Sequence, residues 1–169
     1  MRLLTKTSLF SFVLLISFSS IAGLSTPKEI IQQITERGVN STVAEIGERN
    51  KRNEIAKLIA TGDPEWLEVA FRLTPNTHRE FSNQIFDSLS LALLNNPVEV
   101  LAQANKYRPS LTNNICDLSL TVIAEKNKHK LIKGIVASLK SAEKSAKRKD
   151  KENIERCILK LNQVYPRYF

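Results

Sequence analysis

Three proline-led helix starts at nearly equal intervals constrain this chain more than any other feature. Thr26-Pro27-Lys28-Glu29-Ile30, Asp63-Pro64-Glu65-Trp66-Leu67 and Asn96-Pro97-Val98-Glu99-Val100 each set a side-chain oxygen just before a proline. That oxygen accepts a backbone N–H which the first helical turn leaves unpaired. Proline suits the next position because the donor it lacks had no partner there. Three residues after each proline stands an aliphatic side chain (Ile30, Leu67, Val100), and seven after it stands Ile34, Phe71 or Ala104 on the same face. Gly38, Pro75 and Pro109 then break each helix, and a second amphipathic stretch follows every time.

The starts are 37 and 33 residues apart, and Phe81 and Leu89 recur 34 positions later as Ile115 and Ile123. Periods of this size belong to stacked helix pairs, in which each pair needs a neighbour to bury its apolar face. The pattern resembles a short HEAT-type or tetratricopeptide-type stack. The resemblance is architectural, matches no family signature and transfers no functional residue. An irregular helical bundle is the alternative arrangement. No window alternates apolar and polar residues as a strand would, so the chain is read as all-α, a compact stack of about seven to eight helices.

The spacing predicts helices over Pro27–Arg37, Ser41–Ala60, Pro64–Leu73, Thr77–Asn95, Pro97–Tyr107, Leu111–Glu125, Lys128–Lys147 and Asp150–Val164. The second is expected to be interrupted near Asn50 or Asn53, since Glu48 to Glu54 contains no apolar residue. The fourth is apolar almost all round and is expected to be the central buried helix.

Ahead of these helices stands a leader. Arg2 and Lys6 precede an apolar run from Leu9 to Phe18, which is followed by Ser20-Ile21-Ala22. This order of charge, apolar run and small residues is that of a secretory signal, and the run is too short to span a bilayer. Residues 1–22 are therefore expected to be cleaved, leaving 23–169 as one helical domain in the periplasm or outside the cell. In an oxidising compartment Cys116 and Cys157 are expected to form a disulfide. Cys157 shares a face with Ile154, Ile158 and Leu161, and Cys116 flanks the stripe of Leu111, Ile115, Leu118 and Val122.

Charge is uneven along the mature chain. Gly23 to Ala124 carries 10 Lys/Arg against 12 Asp/Glu, whereas Glu125 to Phe169 carries 13 against 5. Lys126, Lys130, Lys133, Lys140, Lys144 and Lys147 follow helical spacing opposite Leu131, Ile132, Ile135, Val136 and Leu139. Such a row suits an anionic partner: an acidic protein, lipid headgroups or a wall polymer. Export and the absence of interleaved aromatics argue against nucleic acid. Trp66, the only tryptophan, is expected either to pack across a helix-pair junction or to anchor a partner. The closing Tyr165-Pro166-Arg167-Tyr168-Phe169 reads as a tail folded on the core or as an exposed docking peptide.

Catalytic signals are weak. His78 and His129 have no cysteine or acid at metal-ligand spacing, and no HExxH, CxxC, nucleophile elbow or phosphate loop occurs. Glu65 with Glu68, and Glu45 with Glu48, lie three apart on their helices, a spacing usual for exposed surface. The chain is therefore expected to be no enzyme and to use no cofactor or metal. It reads as an exported helical protein-binding module of the cell envelope, in its sharpest form an inhibitor or immunity-type protein. The alternative is a peripheral binder of anionic lipid or cell-wall polymer. Lys133, Lys140, Lys144, Lys147 and Trp66 are the candidate contact residues, and the oligomeric state is left open.

Overall fold

A computed structural model describes residues 26–118 and 125–169, with all their side chains except those of Glu125 and Lys126. The expected signal at 1–22 lies outside these residues, as do Val122 and Ile123. Nine α-helices and a closing 3-10 turn are present among the described residues, with no strand. They are α1 (Pro27–Arg37), α2 (Val39–Ile46), α3 (Arg49–Ala60), α4 (Pro64–Leu73), α5 (Arg79–Ala92), α6 (Pro97–Tyr107), α7 (Ser110–Cys116), α8 (Glu125–Ser145) and α9 (Arg148–Val164), followed by Pro166–Tyr168.

The three proline-led starts work as their residues dictate. The Thr26 hydroxyl accepts the Glu29 N–H at 3.3 Å, while the Glu29 carboxylate accepts the Thr26 N–H at 3.0 Å, a reciprocal capping box. Asp63 Oδ1 accepts from the N–H groups of Glu65 (3.0 Å) and Trp66 (3.2 Å), and Asn96 Oδ1 accepts from Glu99 N–H at 3.4 Å. The aliphatics three residues past each proline, Ile30, Leu67 and Val100, are all fully buried.

The helices pack in pairs, and the pairs stack in two layers. The proline-led helices form one layer, α1 against α4 and α4 against α6, while α3, α5 and α7 form the other in the same order. Helix α5 touches α3, α4, α6 and α7, so it is the central helix that its all-round apolar sequence foretold.

Side-chain amides tie each pair to the one before. Asn96 Nδ2 donates to the Gly62 carbonyl at 2.9 Å, and Asn95 Nδ2 donates to the Ala60 carbonyl at 3.0 Å. Asn96 thus caps α6 with its oxygen and, with its nitrogen, grips the residue just before the cap of α4. The interval between those two starts is fixed in space by one side chain. Closeness here demands a glycine: Gly62 has φ +78°, and a Cβ on it would stand 2.9 Å from the Asn96 Cβ. One junction earlier, Asn40 Oδ1 accepts the Thr77 N–H at 2.9 Å.

Helices α8 and α9 form a hairpin against α6 and α7. The expected disulfide is present. Cys116 on α7 bonds Cys157 on α9, with Cα atoms 5.4 Å apart and a sequence separation of 41. Both residues are fully buried. On the chain-entropy model a loop of this length contributes about 4 kcal/mol.

Three expectations need correcting. The stretch expected as Ser41–Ala60 is two helices, and the break is at Gly47, not at Asn50 or Asn53. Gly47 adopts φ +60°, and a Cβ there would crowd the Ala44 carbonyl at 3.3 Å, so the turn belongs to glycine. The polar run after it is the opening of α3. The fourth helix starts at Arg79, with His78 as its cap. The sixth stops at Cys116, because Leu118 takes a left-handed φ of 47° that ends the helical path.

Candidate binding surface

The candidate surface lies at the basic end of the molecule. Ile132, Ile135, Val136 and Leu139 of α8 are buried, and Leu131 is half-buried. The opposite side carries Lys130, Lys133, Lys140 and Lys144, all exposed, and Lys147 continues the row into the turn before α9. From Lys130 to Lys144 the row runs about 21 Å at the helical rise of 1.5 Å per residue. Lys133, Lys144 and Lys147 make no ion pair among the described residues. Three of the five cations of α9 differ: Arg148 stands 3.6 Å from Glu152, Lys151 4.0 Å from Glu155, and Lys160 3.0 Å from Asp117.

The aromatic tail folds back on this hairpin. The Tyr165 hydroxyl donates to the carbonyls of Asp117 (3.2 Å) and Leu118 (3.1 Å), next to the bridged Cys116. The Tyr168 ring lies 4.9 Å from His129 and 6.2 Å from Tyr165. Lys140 Nζ stands 4.9 Å above the ring of Phe169, which is 41% exposed. Lysine row and tail are therefore one continuous surface. This juxtaposition was missed at the level of sequence, where Tyr165-Pro166-Arg167-Tyr168-Phe169 carries no periodicity to say which helix it meets.

Trp66 is not brought there. It is half-buried against the core on α4, which packs with α1, α2, α3, α5 and α6. Trp66 is thus on a different helix from the lysine row.

The acid pairs take ordinary structural roles. Glu45 pairs with Arg37. Glu68 Oε1 accepts from Arg72 Nε at 2.9 Å and from the Tyr107 hydroxyl at 3.2 Å, and Arg72 Nη2 stands 2.8 Å from the same oxygen. The Arg72 hydrogen bond holds the Glu68 carboxyl below the usual carboxylate range, against the opposing effect of burial. Burial pushes the Tyr107 hydroxyl up. A carboxyl kept ionised is the reverse of what a general acid at neutral pH needs. The i,i+4 spacing of Glu68 and Arg72 was the available sequence signal for this pair.

His78 has a defined task. Its Nδ1 accepts the Phe81 N–H at 3.2 Å, capping α5, and its Nε2 lies 2.7 Å from Arg52 Nη1. Asn40, Arg52, Thr77 and His78 edge a cleft of about 380 Å³. Among the described residues, no three His, Cys, Asp or Glu side chains gather as a metal site would require, and no helix is long and apolar enough to cross a membrane.

Fold and surface together define a class: an all-α stack of helix pairs, closed by a disulfide-tied basic hairpin. Compared with protein-family models, curated proteins and solved structures, the chain matches none of them.

Proposed function

We propose that this chain is an exported, non-enzymatic binding module that presents its C-terminal hairpin to an acidic face of another envelope or secreted protein. One observation carries the reading. Lys130, Lys133, Lys140 and Lys144 stand exposed along one side of α8, with no carboxylate partner among the described residues, while the other side is locked into the core. A rigid row of like charge costs the fold some self-repulsion, and an acidic partner would relieve it. The buried Cys116–Cys157 bridge suits an oxidising compartment. An inhibitor or immunity-type protein is the sharpest form of this reading.

Peripheral binding to anionic lipid or wall polymer is the second reading, favoured by the exposed Phe169 beside Lys140. One experiment separates the two. The oxidised protein and its Lys133→Glu/Lys140→Glu/Lys144→Glu variant are cross-linked in envelope extract and, in parallel, mixed with anionic vesicles and wall sacculi. A saturable protein partner that the variant loses supports the first reading. Charge-dependent sedimentation with vesicles or sacculi, with no protein captured, replaces it by the second.

A further inference from the structure

We propose that the cleft between the first turns of α8 and the closing 3-10 turn is a preformed site for an acidic peptide segment bearing a large apolar side chain. This rests on the acidic-partner reading above and adds where a segment of that partner docks. The cleft measures about 350 Å³ and is lined by two cationic side chains, Lys128 and Arg167, two aliphatic ones, Ile132 and Val164, and the rings of Tyr165 and Tyr168. Of the two cations, Arg167 makes no ion pair among the described residues. That volume is at the lower end of small-ligand pockets, enough for one side chain and its neighbouring carboxylate but short for an acyl chain. Cations beside an apolar, aromatic lining call for a ligand with both characters. A carboxylate makes charge-assisted hydrogen bonds to Arg167, and an adjoining leucine or phenylalanine is dehydrated against Ile132, Val164 and the rings.

The walls are held before any ligand arrives. Tyr165 is tied by its hydroxyl to the two carbonyls that follow bridged Cys116, and Tyr168 is wedged between Tyr165 and His129. Leu118, whose carbonyl is one of those two acceptors, holds a left-handed φ of 47° while only 1% exposed. A non-glycine residue stays in that region only where its surroundings enforce it, and here the bridge and the Tyr165 hydrogen bonds do so. A site with fixed walls loses little entropy on binding.

The test uses the full oxidised protein and a labelled peptide, Glu-Leu-Glu-Phe-Glu-Glu, followed by fluorescence polarisation and by NMR shift mapping. Saturable binding is expected, weakened about tenfold by Arg167→Glu or by Tyr168→Ala, the usual scale for losing an interface hot spot. A peptide with serine for leucine and phenylalanine, or with glutamine for glutamate, should weaken comparably. Shifts should centre on Ile132 and Val164, and reduction of the bridge should lower affinity.

Absence of saturable binding, undiminished binding to both variants, or shifts confined to Lys133–Lys147 would overturn the site. So would phosphatidylglycerol vesicles shifting the same residues where the peptide does not. Circular dichroism confirms that both variants, changed on the exposed tail, remain folded. If the envelope partner is lost on reversing the lysine row but kept by both tail variants, the cleft fails and the acidic-partner reading stands.

Discussion

Between Pro27 and Cys116, successive helix pairs are joined by hydrogen bonds that reach back about one repeat, from Asn96 to Gly62 and from Thr77 to Asn40. The α8–α9 hairpin has such ties too, from Ser138 to the Leu94 carbonyl and from Lys160 to Asp117, and adds to them a covalent bond and a folded tail. The first region is nearly neutral, and the second carries 13 Lys/Arg against 5 Asp/Glu from Glu125 onward. Where acids and bases balance, short-range polar ties between complementary layers suffice. Where one sign of charge dominates, the helices repel, and the covalent bridge adds a link that charge does not weaken.

The comparison can be broken or sharpened at several points. Its largest expected effect is Cys157→Ser, which removes about 4 kcal/mol and lowers the melting temperature by roughly 10 °C. That loss should fall on the hairpin, so amide exchange should accelerate in α8 and α9 well before α4 and α5. Uniform acceleration would mean that the two regions form one cooperative unit.

Leu67→Ala follows, at roughly 3 kcal/mol for truncating a fully buried leucine at a layer contact. Denaturant titration measures it, and exchange should now rise first in α1, α4 and α6.

Gly62→Ala is expected to cost about 2 kcal/mol, because a left-handed φ and a Cβ contact at 2.9 Å act together. Gly38 combines φ +82° with ψ 162°, a region open essentially to glycine alone, so Gly38→Ala should cost about 1–3 kcal/mol from the backbone even with open space around it. Thermal shifts of the two variants measure both costs.

Asn96→Ala loses the α6 cap and the tie to Gly62, about 1–2 kcal/mol, and Asn96→Asp should recover the cap only.

Glu68 gives the smallest effect. Arg72 lowers its folded-state pKa, so its contribution is present above the unfolded carboxylate value and is lost as pH falls through the folded one. With both side chains 36% exposed, solvent screening limits this to a few tenths of a kcal/mol. Urea midpoints of wild type and Glu68→Gln should converge as pH falls below the usual carboxylate range.

Much of the fold was legible because its signals are local. A cap, a proline and an aliphatic three residues on need no tertiary knowledge, and the α1, α4 and α6 spans match the expected ones residue for residue. The paired cysteines followed from helical facing and compartment. The break at Gly47 was misplaced because the absence of apolar residues from Glu48 to Glu54 was read as an interruption near Asn50 or Asn53. In the fold that run opens α3, with Lys51, Arg52 and Asn53 half-buried through their stems and amides. The cap at His78 was missed because histidine's ring nitrogen replaces the usual oxygen. Of the candidate surface, the lysine row was legible from its period, but its union with the tail was not. The Tyr165 hydroxyl meets backbone carbonyls 47 and 48 residues away, and carbonyls leave no trace in a sequence.

The sulfur bridge has a topological consequence. It closes a ring of chain that contains the whole of α8, and with it the row from Lys130 to Lys144. A peptidase that nicks the chain inside that ring releases no fragment, so the protein keeps its full mass and its basic face until a reductant opens the ring.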